Sequence, residues 1–144
     1  MGMLKEKDKK EIAKIFETLK DEVEFLYFTQ DFECDYCSQT REMLEELTSL
    51  SPKLSLDVHD FAKEKDLAAA HSIDKIPAIV LIRKKDRLDP GIRYYGVPAG
   101  YDFATLLEGV KLLSAGDPKL APATAEALDK LTSPVHIQVF TTPT

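Results

Sequence analysis

The chain has no tryptophan and no asparagine, only three glutamines, and just two cysteines and three histidines among its 144 residues. Each shortage closes a possibility. Two cysteines and three scattered histidines (His59, His71, His136) fall short of the four clustered ligands of a structural zinc site. No bound metal is expected unless two subunits share one. No apolar run approaches the roughly 18 residues of a membrane-crossing helix, and the lysine-rich start has no apolar stretch of a secretory signal behind it. A cytoplasmic protein with no membrane partner is expected. The net charge of −6 is spread along the chain. The one basic run, RKKDRLDPG (Arg83–Gly91), carries the Asp, Pro and Gly of a solvated turn. Phosphates need a clustered basic face, so no nucleic-acid partner is expected. Few amides beside many Lys and Glu suit a protein made to survive heat.

What is present is periodic. Ile12, Ile15, Phe16 and Leu19 form a helical stripe over Lys10–Lys20. VEFLYFT (Val23–Thr29) is β-branched, aromatic and nearly all apolar, which suits a strand buried on both faces. Met43, Leu44, Leu47 and Leu50 make a second helical stripe, ended by Pro52. LSLDVHDF (Leu54–Phe61) alternates as a strand, and an alanine-rich helix follows over Lys63–His71. IPAIVLI (Ile76–Ile82) reads as another buried strand, and Arg93–Tyr95 as a short one after the turn. A helix then carries Phe103, Leu106, Leu107 and Val110 on one face, and SAGDP (Ser114–Pro118) stops it. The order is α-β-α-β-α-β-β-α. Alternation of early strands with helices predicts parallel crossovers. The short turn before the last strand predicts an antiparallel hairpin. The fold class is α/β, a mixed sheet of about four strands with helices on both faces.

A second helix and strand follow, over Ala123–Leu131 and Val135–Phe140. VHIQVFT repeats the pattern of VEFLYFT, with Val135 matching Val23, 112 residues apart. This internal repeat predicts two units, residues 1–118 and the start of a truncated copy at 119–144. The copy breaks off at Thr144, about where its own cysteines are expected. An apolar strand without its unit is an edge ready to pair, so a homodimer through residues 135–140 is one expectation.

The two cysteines lie in DFECDYCSQTREM, three apart, between a buried strand and a helix. A thiol near a helix N-terminus feels the free N–H groups and the dipole, which lower its pKa from about 8.5 toward 7 or below. Cys34 can then attack a substrate disulfide, and Cys37, one turn in, can resolve the mixed disulfide. Half of a shared metal site and an inactive relic are the other readings of the pair. Glu33 and Asp35 oppose the dipole by setting negative charge beside Cys34. The two effects nearly cancel, which predicts a nucleophile of near-normal acidity and a reducing potential.

Cys34-Asp35-Tyr36-Cys37 resembles the Cys-x-Tyr-Cys loop of glutaredoxins, and Ile76-Pro77-Ala78 the cis-proline segment of the thioredoxin superfamily. YYGVPAGYDF (Tyr94–Phe103) and the duplicated strand resemble the tandem, glutaredoxin-like protein disulfide oxidoreductases of thermophilic archaea and bacteria. The resemblance implies a thioredoxin-like fold and a thiol–disulfide exchange enzyme without a bound cofactor. It implies protein disulfides as substrates and a reductase as electron donor. Cys34 matches the nucleophile and Cys37 the resolving thiol. Pro77 matches the cis-proline, with Ile76 offering its backbone to a substrate peptide and Tyr36 lining the substrate site. Glu33 departs from the tryptophan of thioredoxins proper, and Phe28 stands about where many of them bury a carboxylate. Arg41 is the nearest cation to the loop in sequence, which favours protein substrates over glutathione. A weakly active binding module supporting a second cysteine pair is the alternative.

Overall fold

In the computed structural model, which describes residues 2–142, the apolar spacings become helices and strands close to where periodicity puts them. Ile12 and Phe16, one turn apart, bury one face of α1 (Glu6–Glu17), and Glu6 and Asp8 sit at the positive end of its dipole. β1 (Val23–Thr29) buries Val23, Phe25, Leu26, Tyr27 and Phe28, as a strand covered on both faces must. α2 (Cys37–Ser49) turns Met43, Leu44 and Leu47 inward. β2 (Leu54–Asp60), α3 (Lys65–Ala70), β3 (Ala78–Arg83), β4 (Arg93–Tyr95), α4 (Tyr101–Ala115) and α5 (Pro122–Asp129) follow.

The strands form one four-stranded sheet in the order β2-β1-β3-β4. β1 and β2 run parallel, with Phe28 opposite His59. β3 runs against β1, with Ala78 opposite Phe28, and β4 runs against β3. The expectation of parallel crossovers throughout the early strands therefore holds for β1 and β2 and fails for β3. The connection over residues 61–77 forms only the six-residue α3, which spans about 9 Å against the roughly 23 Å of a seven-residue strand. The chain enters β3 at the end where β1 and β2 finish. This reversal brings Pro77 to the same sheet end as the cysteine loop.

Two cores flank the sheet. Phe25, Tyr27, Ile79 and Leu81 pack with Ile12 and Phe16 of α1, Leu44 and Leu47 of α2, and Leu106 and Val110 of α4. Leu26, Phe28, Val80 and Ile82 pack on the other face with Ala68 and Ile73 from the α3 region. Each such large side chain contributes about 1.5–3 kcal/mol by leaving water. A fully buried Ser114 fastens the end of α4 to the chain entering β1. Its Oγ accepts from the N–H groups of Lys20 (2.8 Å) and Asp21 (3.0 Å) and donates to the Asp21 carbonyl (2.7 Å).

Beyond α4, α5 forms, with no buried residue. Val135–Phe140 lies outside regular structure, which corrects the expected strand. A strand needs a neighbour for its N–H and C=O groups, and among the described residues none pairs with this segment. Its Val135, Ile137, Val139 and Phe140 are 64, 80, 79 and 90% exposed. The Thr141 hydroxyl bonds to the Asp102 carboxylate at the start of α4. The end of the expected repeat at Thr144 lies outside the described residues.

Candidate active site

β1 ends at Thr29, and the chain leaves the sheet through a loop over residues 30–36. Gln30 Nε2 donates to the Phe32 carbonyl at 2.7 Å, folding the loop on itself. Glu33 takes a left-handed φ of +49°, uncommon for a residue with a side chain. Cys34 and Cys37 are joined as a disulfide with Cα atoms 5.5 Å apart. Cys37 is the first residue of α2 and is buried, whereas Cys34 lies just before the helix and is half-buried. Cys34 is thus the more exposed residue of the pair. Asp31, Glu33, Asp35 and Tyr36 around it are exposed.

The helix start is held from two sides. Tyr36 is the N-cap and supplies no side-chain cap. Its carbonyl accepts from both the N–H (3.0 Å) and the hydroxyl (2.9 Å) of Thr40. The Tyr27 hydroxyl donates to the Cys37 carbonyl at 2.7 Å, inside the core. Burial pushes the Tyr27 phenol up, so it stays a donor through neutral pH.

The peptide bond between Ile76 and Pro77 is cis. Pro77 is buried, and its carbonyl accepts from the Gly96 N–H at 3.0 Å, fixing it to the end of β4. Ala78, the next residue, pairs with Phe28 at the end of β1. The proline therefore stands at the sheet end where the cysteine loop begins. Among the described residues, neither the N–H nor the C=O of Ile76 is hydrogen-bonded. Beside the loop lies a depression of about 380 Å³. Phe32, Phe61, Ala62, Ala68, Ala69 and Ile73 line it, with Gln30, Glu33 and Lys65.

His59 and His71 serve the scaffold. His59 Nδ1 lies 2.8 Å from Glu64 Oε1, and its Nε2 lies 2.9 Å from Asp57 Oδ2, an ion-pair distance without hydrogen-bond geometry. Burial alone pushes the imidazole down, but Glu64 and Asp57 together outweigh it and hold His59 above its ordinary value. His71 Nδ1 meets Asp89 Oδ2 at 3.0 Å. Among the described residues no three His, Cys, Asp or Glu side chains gather as a metal site. Arg41 is engaged by Glu45 at 2.8 Å, one turn along α2.

No family model matches the chain. Among curated proteins it is similar to the F component of the alkyl hydroperoxide reductase of Staphylococcus aureus, 25% identical over 132 residues, which are 92% of this chain and 23% of that protein. Among solved structures it is similar to the corresponding alkyl hydroperoxide reductase component of Enterococcus faecalis (TM-score 0.79, 23% identity, 89% of this chain and 61% of that one). It is also similar to a protein disulfide oxidoreductase from Aeropyrum pernix (TM-score 0.78, 24% identity, 88% of this chain and 55% of that one). The thioredoxin of Fasciola hepatica superposes on less of it (TM-score 0.52, 19% identity, 71% of this chain and 93% of that one). The fold is thioredoxin-like. The chain spans 23% of the length of the curated relative it matches.

Within this thioredoxin-like fold the two cysteines and the cis-proline, far apart in sequence, share one end of the sheet. Two features escaped sequence reasoning. Tyr27 reads as one more apolar residue of a buried strand, and its hydroxyl was the available signal. The depression joins Phe32, Phe61 and Ile73, which no local pattern connects.

Proposed function

We propose that the chain is a thiol–disulfide oxidoreductase acting on protein disulfides, with Cys34 as nucleophile and Cys37 as resolving thiol. In the reduced form the Cys34 thiolate attacks one sulfur of a substrate disulfide, and the other substrate sulfur leaves as a thiolate. The Cys37 thiolate then attacks Cys34, forming the intramolecular disulfide and releasing the second substrate thiolate. Released thiolates take protons from water. The observation that carries the reading is the pairing of a half-buried Cys34 with a buried Cys37 at a helix start. The likeness to a protein disulfide oxidoreductase supports it.

The open backbone of Ile76 beside cis Pro77 suits an extended substrate segment, which would bond there as an added strand. Tyr36 and the apolar depression offer side-chain contacts next to it. Exposed acids around Cys34 repel the carboxylates of glutathione, and Arg41, the nearest cation in sequence, is paired with Glu45, which favours protein substrates. A cytoplasmic reductase recharges the pair in this reading, with no bound cofactor. The similarity to a component of an alkyl hydroperoxide reductase supports such a reductive role. The test is reduction of insulin disulfides with dithiothreitol as donor: Cys34→Ser abolishes turnover, and retained turnover overturns the assignment.

A second reading rests on the exposed row at Val135, Ile137, Val139 and Phe140. Here the chain is a weakly active module, and residues 119–144 belong to a second unit or pair with a second copy. Turnover that appears only on adding a chain with its own cysteine pair favours this reading.

A further inference from the structure

Tyr27 ties the central strand to the backbone of a cysteine. It is fully buried in the middle of β1, and its hydroxyl donates to the Cys37 carbonyl at 2.7 Å, ten residues away in sequence. A helix end without a side-chain cap frays readily, and Tyr36 provides none for α2. The Cys34–Cys37 disulfide covers this weakness while it is closed. Once the disulfide opens, that covalent tie is gone.

We propose that Tyr27 is a positioning residue that holds Cys37 within reach of Cys34 while Cys34 is bonded to substrate. The inference rests on the dithiol reading above and names how its second step is secured. That step is intramolecular: the Cys37 thiolate attacks Cys34 Sγ, a new sulfur–sulfur bond forms, and the substrate sulfur leaves as a thiolate. The proton lost by Cys37 and the one gained by substrate are exchanged with water. The rate of such a step follows how often the two sulfurs meet in line, so a backbone anchor at Cys37 acts on it directly. The same anchor has no part in the first attack, which uses Cys34 alone.

The experiment follows the species present after mixing reduced protein with oxidised glutathione and quenching with acid, using mass spectrometry. Tyr27→Phe keeps the ring and removes the donor. It is expected to increase the Cys34–glutathione mixed disulfide and lower the effective concentration of Cys37 about tenfold, the scale of one buried hydrogen bond. The rate at which Cys34 is alkylated stays unchanged. Val80→Ala, in the core on the other face of the sheet, is the control for general loosening. An unchanged species distribution in Tyr27→Phe, or an equal shift in Val80→Ala, overturns the proposal and leaves the dithiol reading standing. Activity retained by Cys34→Ser overturns the dithiol reading itself. If Tyr27→Phe does not fold, hydrogen exchange on the wild-type chain decides. The Thr40 and Arg41 amides should stay equally protected in reduced and oxidised protein, and their deprotection on reduction overturns the anchor.

Discussion

At the scale of single residues, charge and position set the chemistry. Glu33 and Asp35 flank the half-buried Cys34 in sequence and are exposed to solvent. Replacing both by amides is expected to speed alkylation of reduced Cys34 at neutral pH roughly two- to fivefold, the scale of exposed charge pairs. The gain shrinks as salt screens the wild-type repulsion. An unchanged rate at low salt would show that the acids play no part in tuning the thiol. Asp89 offers a second residue-scale test. Burial pushes its carboxyl up, but Arg93, the Gly91 N–H and His71 outweigh this and lower it from 3.8 to about 2. A depressed carboxylate stabilises the fold above its unfolded pKa and loses that contribution as pH falls through the folded value. Asp89→Asn should therefore cost about 1 kcal/mol at pH 7, discounted for its partial exposure. The difference from wild type should fade between about pH 4 and pH 2, as read by urea denaturation.

At the scale of elements, one buried hydroxyl docks a helix. Ser114 satisfies two N–H groups and one carbonyl where α4 meets the segment entering β1. Ser114→Ala leaves these part-buried groups with fewer partners. A loss of about 2 kcal/mol is expected, with no change in the reactivity of Cys34, checked by denaturation and alkylation on the same samples. Element types and approximate limits were legible because they rest on local spacing: one apolar stripe for α1, one β-branched run for β1. The direction of β3 was not. Alternating helices and strands suggested a parallel crossover, whereas β3 pairs with β1 in the opposite direction, a matter of how distant segments pack. The strand expected at Val135–Phe140 failed for the complementary reason. Its local pattern is sound, but pairing is a property of two segments, and the partner is missing among the described residues.

At the scale of the whole molecule, the outstanding feature is the exposed apolar row at residues 135–140. Val135, Ile137 and Val139 alternate along a segment outside regular structure, and Phe140 is 90% exposed. Exposed apolar rows of this kind are covered or they associate. Sedimentation at micromolar concentration should show a dimer, and Ile137→Lys should return it to a monomer with its melting temperature unchanged. A wild-type monomer at that concentration would mean that a second copy does not cover the segment.

The sequence by itself determined the identity of the elements from α1 to α5, the cysteine pair at the mouth of a helix and the proline opening a strand. These follow from residue types at short spacing, where backbone preference and apolar periodicity act locally. Tertiary structure alone decided that β3 reverses to bring Pro77 to the cysteine end of the sheet, and that a buried tyrosine grips Cys37 from the central strand. Those outcomes depend on how segments tens of residues apart fill one core. Packing there is a joint property of all its members, and no window along the chain contains it.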